Sequence, residues 1–353
     1  MSRDFHRLTV ASITPEIDGA ATSVVFDVPD VLQDDFRWAA GQHLTLRFML
    51  EGQEERRSYT ISNPPGKALR ITIKRVKDGK VSNHIGDALS VGDEVDVMPP
   101  FGGFTLTPST TARRTHYFFG AGSGITPLFA MINAVLSHEP HSVAHLIYGN
   151  ADANSIIYQE CLTGLTDQHS DRLTVRHVLS APSIWSWFTP WRTGRVDAEA
   201  IAAAIGETPP EAQDVQYWIC GPGKMNQDVK SALMAVDVPA NRIHMESFGG
   251  GPKAEVNADE TVAAKASVSL NGSTHEFMVD KGETLLTAAL AAGVDIPFSC
   301  QSGVCGACKA RLTEGKVHMT AHMALEDADI AKGDILCCQS VPLSERLDLV
   351  LEE

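Results

Sequence analysis

The chain has 353 residues, a formal net charge of −15 and 43% hydrophobic residues. That length accommodates two or three domains, and the hydrophobic share supplies real cores and does not suit a disordered chain. The charge argues against nucleic acid or an anionic membrane surface as partner. No apolar run approaches the ~20 residues of a membrane helix. The first ten residues lack the apolar stretch of a secretory signal, so no stable membrane insertion and a cytoplasmic location are expected. Seven cysteines in such a chain point to a metal or redox site more than to disulfides.

Residues 1–108 read as short strands. Runs at 43–50, 59–62 and 69–74 are rich in β-formers and separated by Gly, Pro and Asp. This spacing predicts an antiparallel β-barrel. Within it lies Arg57-Ser58-Tyr59-Thr60. A flavin in a barrel needs an aromatic ring against its isoalloxazine, a hydroxyl near N5, and cations or amides for its pyrophosphate. The run offers all three along a strand whose side chains alternate between faces. By itself such a run also occurs in ordinary strands. It gains weight from Gly79-Lys80-Val81-Ser82-Asn83, where a serine cap before His84-Ile85 would set a phosphate at a helix N-terminus. The bland alternative is an Asp78-Gly79 turn followed by a cap.

Residues 109–248 alternate apolar strands (116–119, 143–148, 215–220) with helical stretches (127–136, 156–165, 225–236). That rhythm predicts βαβ units around a parallel sheet. Gly120-Ala121-Gly122-Ser123-Gly124-Ile125-Thr126-Pro127 follows a strand and opens a helix. Thr126 is expected to cap that helix, and Pro127 suits its first turn. Glycines there bring backbone amides to a pyrophosphate, and the helix dipole favours its charge. The string is G-x-G-x-G and lacks the G-x-G-x-x-G dehydrogenase fingerprint. Cys220-Gly221-Pro222 also ends a strand, and the two loops predict a cleft at the carboxyl edge of the sheet. Cys161, in a predicted helix, is expected in the core. Trp185, Trp187 and Trp191 form either a loop packed on its own domain or a docking patch.

Residues 249–261 are glycine-rich, then polar, and read as a linker. Residues 262–353 open with two strands flanking Asn271-Gly272, a strong hairpin signal. A helix over 283–292 follows, stopped by Gly293. Cys300, Cys305 and Cys308 form C-x4-C-x2-C, and Cys337 and Cys338 lie about thirty residues on, which is plant-type 2Fe–2S spacing. Two irons need four thiolates, of which one tight loop offers three and a distant strand the fourth. Gly303 and Gly306 let backbone N–H groups approach the sulfurs. A zinc site or buried thiols are the alternatives, but zinc favours paired C-x2-C knuckles and one such pair is present.

Arg57-Ser-Tyr-Thr60, Gly79-x-x-Ser82, Gly120-x-Gly-x-Gly-x-Thr-Pro127, Tyr148-Gly-Asn150, Cys220-Gly-Pro222 and Glu246-Ser-Phe248 together resemble the ferredoxin–NADP reductase superfamily. With the C-terminal ferredoxin unit, the chain is similar over nearly its whole length to reductase components of bacterial oxygenases, such as those of phenylacetyl-CoA epoxidase and 3-ketosteroid 9α-hydroxylase. The resemblance implies FAD, a 2Fe–2S cluster and NAD(P)H as cofactors, and a terminal oxygenase or other one-electron acceptor protein as partner. A reductase for a desaturase or Rieske-type oxygenase, an enzyme acting on a small acceptor, and a non-enzymatic iron–sulfur sensor are the rival readings.

For the flavin, the resemblance implies Tyr59 stacked on the ring, Thr60 near N5, Arg57 at the pyrophosphate, and Ser58, Lys74, Gly79, Val81 and Ser82 around them. For the nucleotide it implies Gly120, Gly122, Gly124, Thr126, Asn150, Asp152, Gly221 and Pro222. Thr60, Cys220, Glu246 and Phe248 would form the catalytic set, with Cys220 near the nicotinamide and Phe248 covering the flavin. The ferredoxin pattern, in which the last ligand precedes Gln, selects Cys338 over Cys337. Relatives often carry a basic residue after Tyr-Gly-Asn. Here Ala151 and Asp152 follow, and an acidic group beside the ribose favours NADH.

Overall fold

A computed structural model describes residues 4–182, 188–248, 259–270, 272–325 and 327–351. Trp185, Trp187, Asn271 and most of the expected linker lie outside these. Two compact units divide the chain. One holds residues 5–55 and 59–248, and the other holds the C-terminal residues together with Asp4 and Arg56–Ser58.

The first unit begins with an antiparallel six-stranded sheet. Its strands are β1 (His6–Glu16), β2 (Ala21–Asp27), β3 (His43–Leu50), β4 (Gln53–Thr60), β5 (Leu69–Lys74) and β6 (Glu94–Phe101). They lie in the order β4-β3-β6-β1-β2-β5. A bridge between Ile61 and Ile71 joins the end of β4 to β5, so the two edges meet and the sheet curls into a barrel. Leu8, Val24, Leu44, Leu46, Ile71 and Val97 fill its interior. Helix α1 (Lys80–Asp87) packs outside β3, with the His84 and Phe48 rings 5.2 Å apart.

The same unit continues into a six-stranded parallel sheet. It comprises β7 (Arg114–Ala121), β8 (Val143–Asn150), β9 (Leu173–Leu179), β10 (Arg192–Thr193), β11 (Asp214–Gly221) and β12 (Ile243–Ser247), in the order β10-β9-β8-β7-β11-β12. Its central strands β7 and β8 are buried along nearly their whole length because helices cover both faces. In β7, Phe118 packs with α2 (Ile125–His138) and α3 (Gln159–Gln168) on one side. Tyr117 and Phe119 pack on the other with α4 (Ala198–Glu207) and α5 (Gly223–Met234).

The second unit has its own core, including Val268, Phe277, Leu286, Ile335 and Leu347. Strands β13 (Ala264–Leu270) and β14 (Ser273–Val279) pair antiparallel, with Leu270 opposite Ser273, as a two-residue hairpin turn requires. Helix α6 (Leu285–Ala291) follows, capped by Thr284. Then come β15 (Lys309–Glu314), β16 (Val317–Met319), α7 (Asp327–Ala331), β17 (Asp334–Leu336), β18 (Ser340–Pro342) and β19 (Arg346–Val350). The mixed sheet β14-β13-β19-β15-β17, with α6 against it, is a β-grasp.

Three local expectations are corrected. Cys161 does lie on a helix, but it is exposed, because Leu162 is the one residue α3 buries. Ser82 is no cap: α1 starts earlier, from Gly79, after Asp78 takes the left-handed conformation at φ 59°. Thr126 also lies inside its helix. It donates to the Ser123 carbonyl at 3.0 Å, and the chain enters α2 through a short 3-10 turn over Gly122–Gly124.

Candidate functional site

The nucleotide loops meet where the parallel strands end. Cys220 lies beside Gly120 on one neighbouring strand and Glu246 on the other. Gly124 is pressed against this point: a Cβ there would lie 2.0 Å from the Cys220 carbonyl oxygen. Only glycine fits between the two loops. Gly122 has φ 54°, and its carbonyl accepts from the Tyr148 hydroxyl at 2.9 Å. Lys74, at the end of β5, brings its Nζ to 3.7 Å from where a Gly122 Cβ would stand. A cation from the barrel therefore sits at the glycine loop. Asn150 ends β8 with its side-chain amide buried, and among the described residues neither Oδ1 nor Nδ2 has a hydrogen-bond partner. An unpaired buried amide costs about 1–3 kcal/mol. At the rim of a glycine loop and a helix N-terminus, it fits a polar ligand that completes it.

We expect Gly124→Ala to weaken nucleotide binding about ten- to a hundredfold, since overpacking at a backbone contact costs about 1–3 kcal/mol. Calorimetric titration with NAD+ and NADP+ checks this. Unchanged affinity would place the nucleotide elsewhere.

Asp152 does not project freely. Its carboxylate caps the turn Ala153–Ser155, accepting from the Ser155 amide at 3.0 Å, while its own amide donates to Ser155 Oγ. Gly221 continues β11 beyond Cys220, and Pro222 caps α5.

The residues expected to form the catalytic set range from buried to exposed, with Glu246 partly buried. Thr60 and Cys220 are almost inaccessible, whereas Phe248 is 41% exposed. Burial raises the Cys220 thiol well above its ordinary range, and the neighbouring Glu246 adds to this, so Cys220 is a neutral thiol. Glu246 Oε2 is buried and has no partner among the described residues, and burial pushes the carboxyl pKa from 4.5 to about 8. The sign follows directly. The folded state holds a proton that the unfolded chain has lost, so stability declines as pH rises from about 4.5 to about 8. In FAD-free protein, Glu246→Gln should therefore match the parent near pH 4.5 and exceed its stability above pH 8, by on the order of 5 kcal/mol at most. Urea titrations at both pH values test it, and a pH-independent difference would contradict the assignment.

One residue here carries no sequence signal. Asn226, on α5, is fully buried and donates through Nδ2 to the Glu246 carbonyl at 2.8 Å and to Ser247 Oγ at 2.7 Å. It ties the Glu246–Phe248 segment to the helix that Cys220-Gly221-Pro222 opens.

At the flavin motif, β4 places Ser58 and Thr60 on one face and Arg57 and Tyr59 on the other. Tyr59 packs at the edge of the barrel core, and Arg57 is exposed. The Lys80–Glu55 ion pair at 2.8 Å brings the Gly79-Lys80-Val81-Ser82 turn beside the same strand. Gly79 has no room for a side chain, since a Cβ would meet Val76 Cγ2 at 2.4 Å and Ser82 Oγ at 2.5 Å. Among the described residues no side chain caps α1, so its N-terminus fits a phosphate.

In the second unit four thiols converge: Cys300 lies within hydrogen-bonding reach of Cys305 and Cys338, and Cys338 within reach of Cys308. Backbone amides also point at sulfur: Ser302 at Cys300 (3.4 Å), Ala307 at Cys305 (3.5 Å) and Cys338 at Cys308 (3.4 Å). Hydrogen bonds from Cys305 and Cys338 hold the Cys300 thiol well below its ordinary range, while its bonds to Cys300 and Cys308 push Cys338 up. Four close thiols with inward amides are a donor set for a 2Fe–2S cluster. Left-handed Gly303 (φ 78°) lets the loop turn, with Ala321 O only 2.7 Å from a would-be Cβ. Cys337 faces away into the core, its carbonyl accepting from Leu286 N at 3.0 Å. Gln339, also absent from the expected site, staples the arrangement. Its Nε2 donates to the carbonyls of Gln301 and Cys338, both at 2.9 Å, and its Oε1 accepts from Thr320.

Models of three protein families match the chain in order: an oxidoreductase FAD-binding domain over residues 17–106, an oxidoreductase NAD-binding domain over 118–231, and a 2Fe–2S iron–sulfur cluster binding domain over 268–343. The chain is 34% identical to a subunit of the 1,2-phenylacetyl-CoA epoxidase of Escherichia coli (strain K12), over 99% of this chain and 97% of that one. It is 36% identical to the ferredoxin reductase component of 3-ketosteroid-9-alpha-monooxygenase of Mycobacterium tuberculosis, over 98% and 96%. The chain belongs to the family of oxygenase reductase components. Phthalate dioxygenase reductase shares the fold, with a TM-score of 0.59 and 24% identity across 98% of each chain. This reductase takes electrons from NAD(P)H and passes them through FAD and a 2Fe–2S cluster. Among its described residues, no helix is long and apolar enough to cross a membrane.

Proposed function

We propose that this reductase serves a terminal oxygenase of the epoxidase or monooxygenase kind, in the cytoplasm, with NADH as its preferred donor. The convergence of Cys300, Cys305, Cys308 and Cys338 in a unit separate from the nucleotide loops carries the reading, because it gives electrons a one-electron exit. The domain limits are 1–108 for flavin, 109–248 for nucleotide and 262–353 for the cluster, joined by the 249–261 linker.

Bound FAD supplies the conversion of a two-electron hydride into single-electron steps, and the cluster supplies the one-electron relay. The chain's own residues do the rest. Gly120, Gly122 and Gly124 hold the pyrophosphate with backbone amides, Lys74 adds charge, and Asn150 gains a partner. Cys220 presents a neutral thiol to the nicotinamide. Glu246 keeps its proton up to about pH 8. Thr60 orients the flavin edge, Tyr59 and Phe248 cover its ring, and Arg57 with the Gly79–Ser82 turn holds its phosphates. Cys300, Cys305, Cys308 and Cys338 ligate iron.

The donor preference rests on Asp152. Its carboxylate attracts a ribose 2′-hydroxyl and repels a 2′-phosphate, even while one oxygen caps Ser155. Steady-state reduction of ferricyanide should show higher kcat/KM with NADH. Asp152→Arg should shift the ratio towards NADPH about tenfold, at about 1 kcal/mol of stability for the lost cap. A parent enzyme that prefers NADPH would contradict this assignment. To test the acceptor, the protein is titrated with candidate oxygenase components under NADH, and failure to reduce any of them while small acceptors turn over rapidly would favour a self-contained reductase.

A further inference from the structure

We infer that Tyr158 is a positioning residue, which couples the nucleotide-binding edge of the parallel sheet to the flavin strands of the barrel. The inference rests on the electron path given above and names the contact that sets its geometry.

Tyr158 is buried, with 3% of its surface accessible, yet its backbone is left-handed, with φ 63° and ψ 27°. A bulky residue in that conformation is strained and persists only where its surroundings demand it. It closes the segment 150–158, which begins with Asn150 and Asp152 at the nucleotide rim. The capping box of Asp152 and Ser155 braces this segment, and Ile156 and Ile157 bury it.

From there the phenol crosses to the barrel. Its hydroxyl donates to Thr72 Oγ1 on β5. Thr72 and Ser23 hydroxyls lie 2.7 Å apart, and Ser23 donates to Glu16 Oε1 at 2.7 Å. Ser23 spends its one proton on that carboxylate, so it accepts from Thr72, and Thr72 in turn accepts from Tyr158. The carboxylate thus orients the whole relay, and such chains reinforce one another. Ser62 Oγ stands 3.3 Å from Thr72 and accepts from Arg70 Nε at 2.9 Å. The Arg70 guanidinium lies 5.2 Å from the Tyr158 ring centre, and Phe129 lies 4.5 Å from it, centre to centre.

The relay ends next to the flavin motif. Ser62 is two residues beyond Thr60, and Ile61 between them bridges to Ile71, the neighbour of Thr72. One hydroxyl therefore fixes the register between the segment carrying Asn150 and Asp152 and the strand carrying Thr60. Phenylalanine would fill the same volume. The proton-directed bond adds a defined position, and hydride transfer depends steeply on position.

The test compares Tyr158→Phe, Thr72→Val and the double variant with the full-length, FAD- and cluster-containing parent. Stopped-flow flavin reduction at saturating NADH should slow about tenfold in each single variant and no further in the double, with NAD+ affinity and FAD content unchanged. In FAD-free protein, amide hydrogen exchange should quicken in Tyr158→Phe both at 150–158 and at 60–72. A rate constant within twofold of the parent, additive losses in the double variant, or faster exchange confined to 150–158 would each overturn the coupling. A parent that accepts no electrons from either nucleotide would instead sink the functional reading, and the exchange pattern would still decide whether the relay couples the two segments.

Discussion

Replacing Cys338 with serine should remove the iron–sulfur absorbance of the purified protein, while Cys337→Ser should leave most of it. The two cysteines lie in the turn between β17 and β18, closed by the Gln339 amide donating to the Leu336 carbonyl at 2.9 Å, and not on a strand as their sequence suggests; the turn sends one thiol to the loop and the other to the core. Cys338 meets the thiols of Cys300 and Cys308. Cys337 is fully buried among Leu286, Leu336 and their neighbours, and no thiol hydrogen-bonds to it. A thiolate that binds iron cannot be spared, because hydroxyl is a far poorer ligand for an iron–sulfur cluster. Serine at 337 instead buries a hydroxyl, at a cost of about 1–3 kcal/mol from mutational experience, so Cys337→Ala is the cleaner companion variant. Visible absorbance and electron paramagnetic resonance of the reduced proteins report the outcome. If Cys337→Ala loses the cluster and Cys338→Ser keeps it, the ligand assignment is reversed.

Ending the chain at Gly250 should separate the two halves of the reaction. Thr60, Cys220, Glu246 and Phe248 precede that point, and all four cluster thiols follow it. The barrel and parallel sheet have cores of their own, distinct from the core around α6 and β13. A truncated protein with those cores intact should fold, retain FAD and reduce ferricyanide with NADH at a rate near the parent's. Its reduction of cytochrome c or of the oxygenase partner should fall to background. Hydride delivers two electrons together, whereas such acceptors take one at a time, and the iron–sulfur exit is gone. Both activities are compared at equal flavin content. Undiminished partner reduction would show that the cluster lies off the productive path.

What the residues alone revealed is local. Strands 43–50 and 69–74 match β3 and β5 end to end. C-x4-C-x2-C, the glycine loop after β7 and Cys220-Gly221-Pro222 are equally legible, because each is a short stretch whose backbone conformation its own residues dictate. Glycine positions belong here too: Gly122 and Gly303 do take the left-handed backbone that a tight loop needs.

What the tertiary structure decided is long-range or depends on which face wins. Cys161 reads as a core cysteine within an apolar pattern, yet α3 turns it to solvent because its neighbour Leu162 takes the inward position. Ser82 and Thr126 have the chemistry of caps, but the turn preceding each helix begins the coil earlier and leaves them inside it. Asn226 reaches Glu246 and Ser247 across 20 and 21 residues, and Tyr158 reaches Thr72 across 86. A polar side chain in a helix or loop carries no mark of the partner it will meet. That partner is set by how the sheets and helices pack, and so the residues that position the site became visible only once the chain was folded.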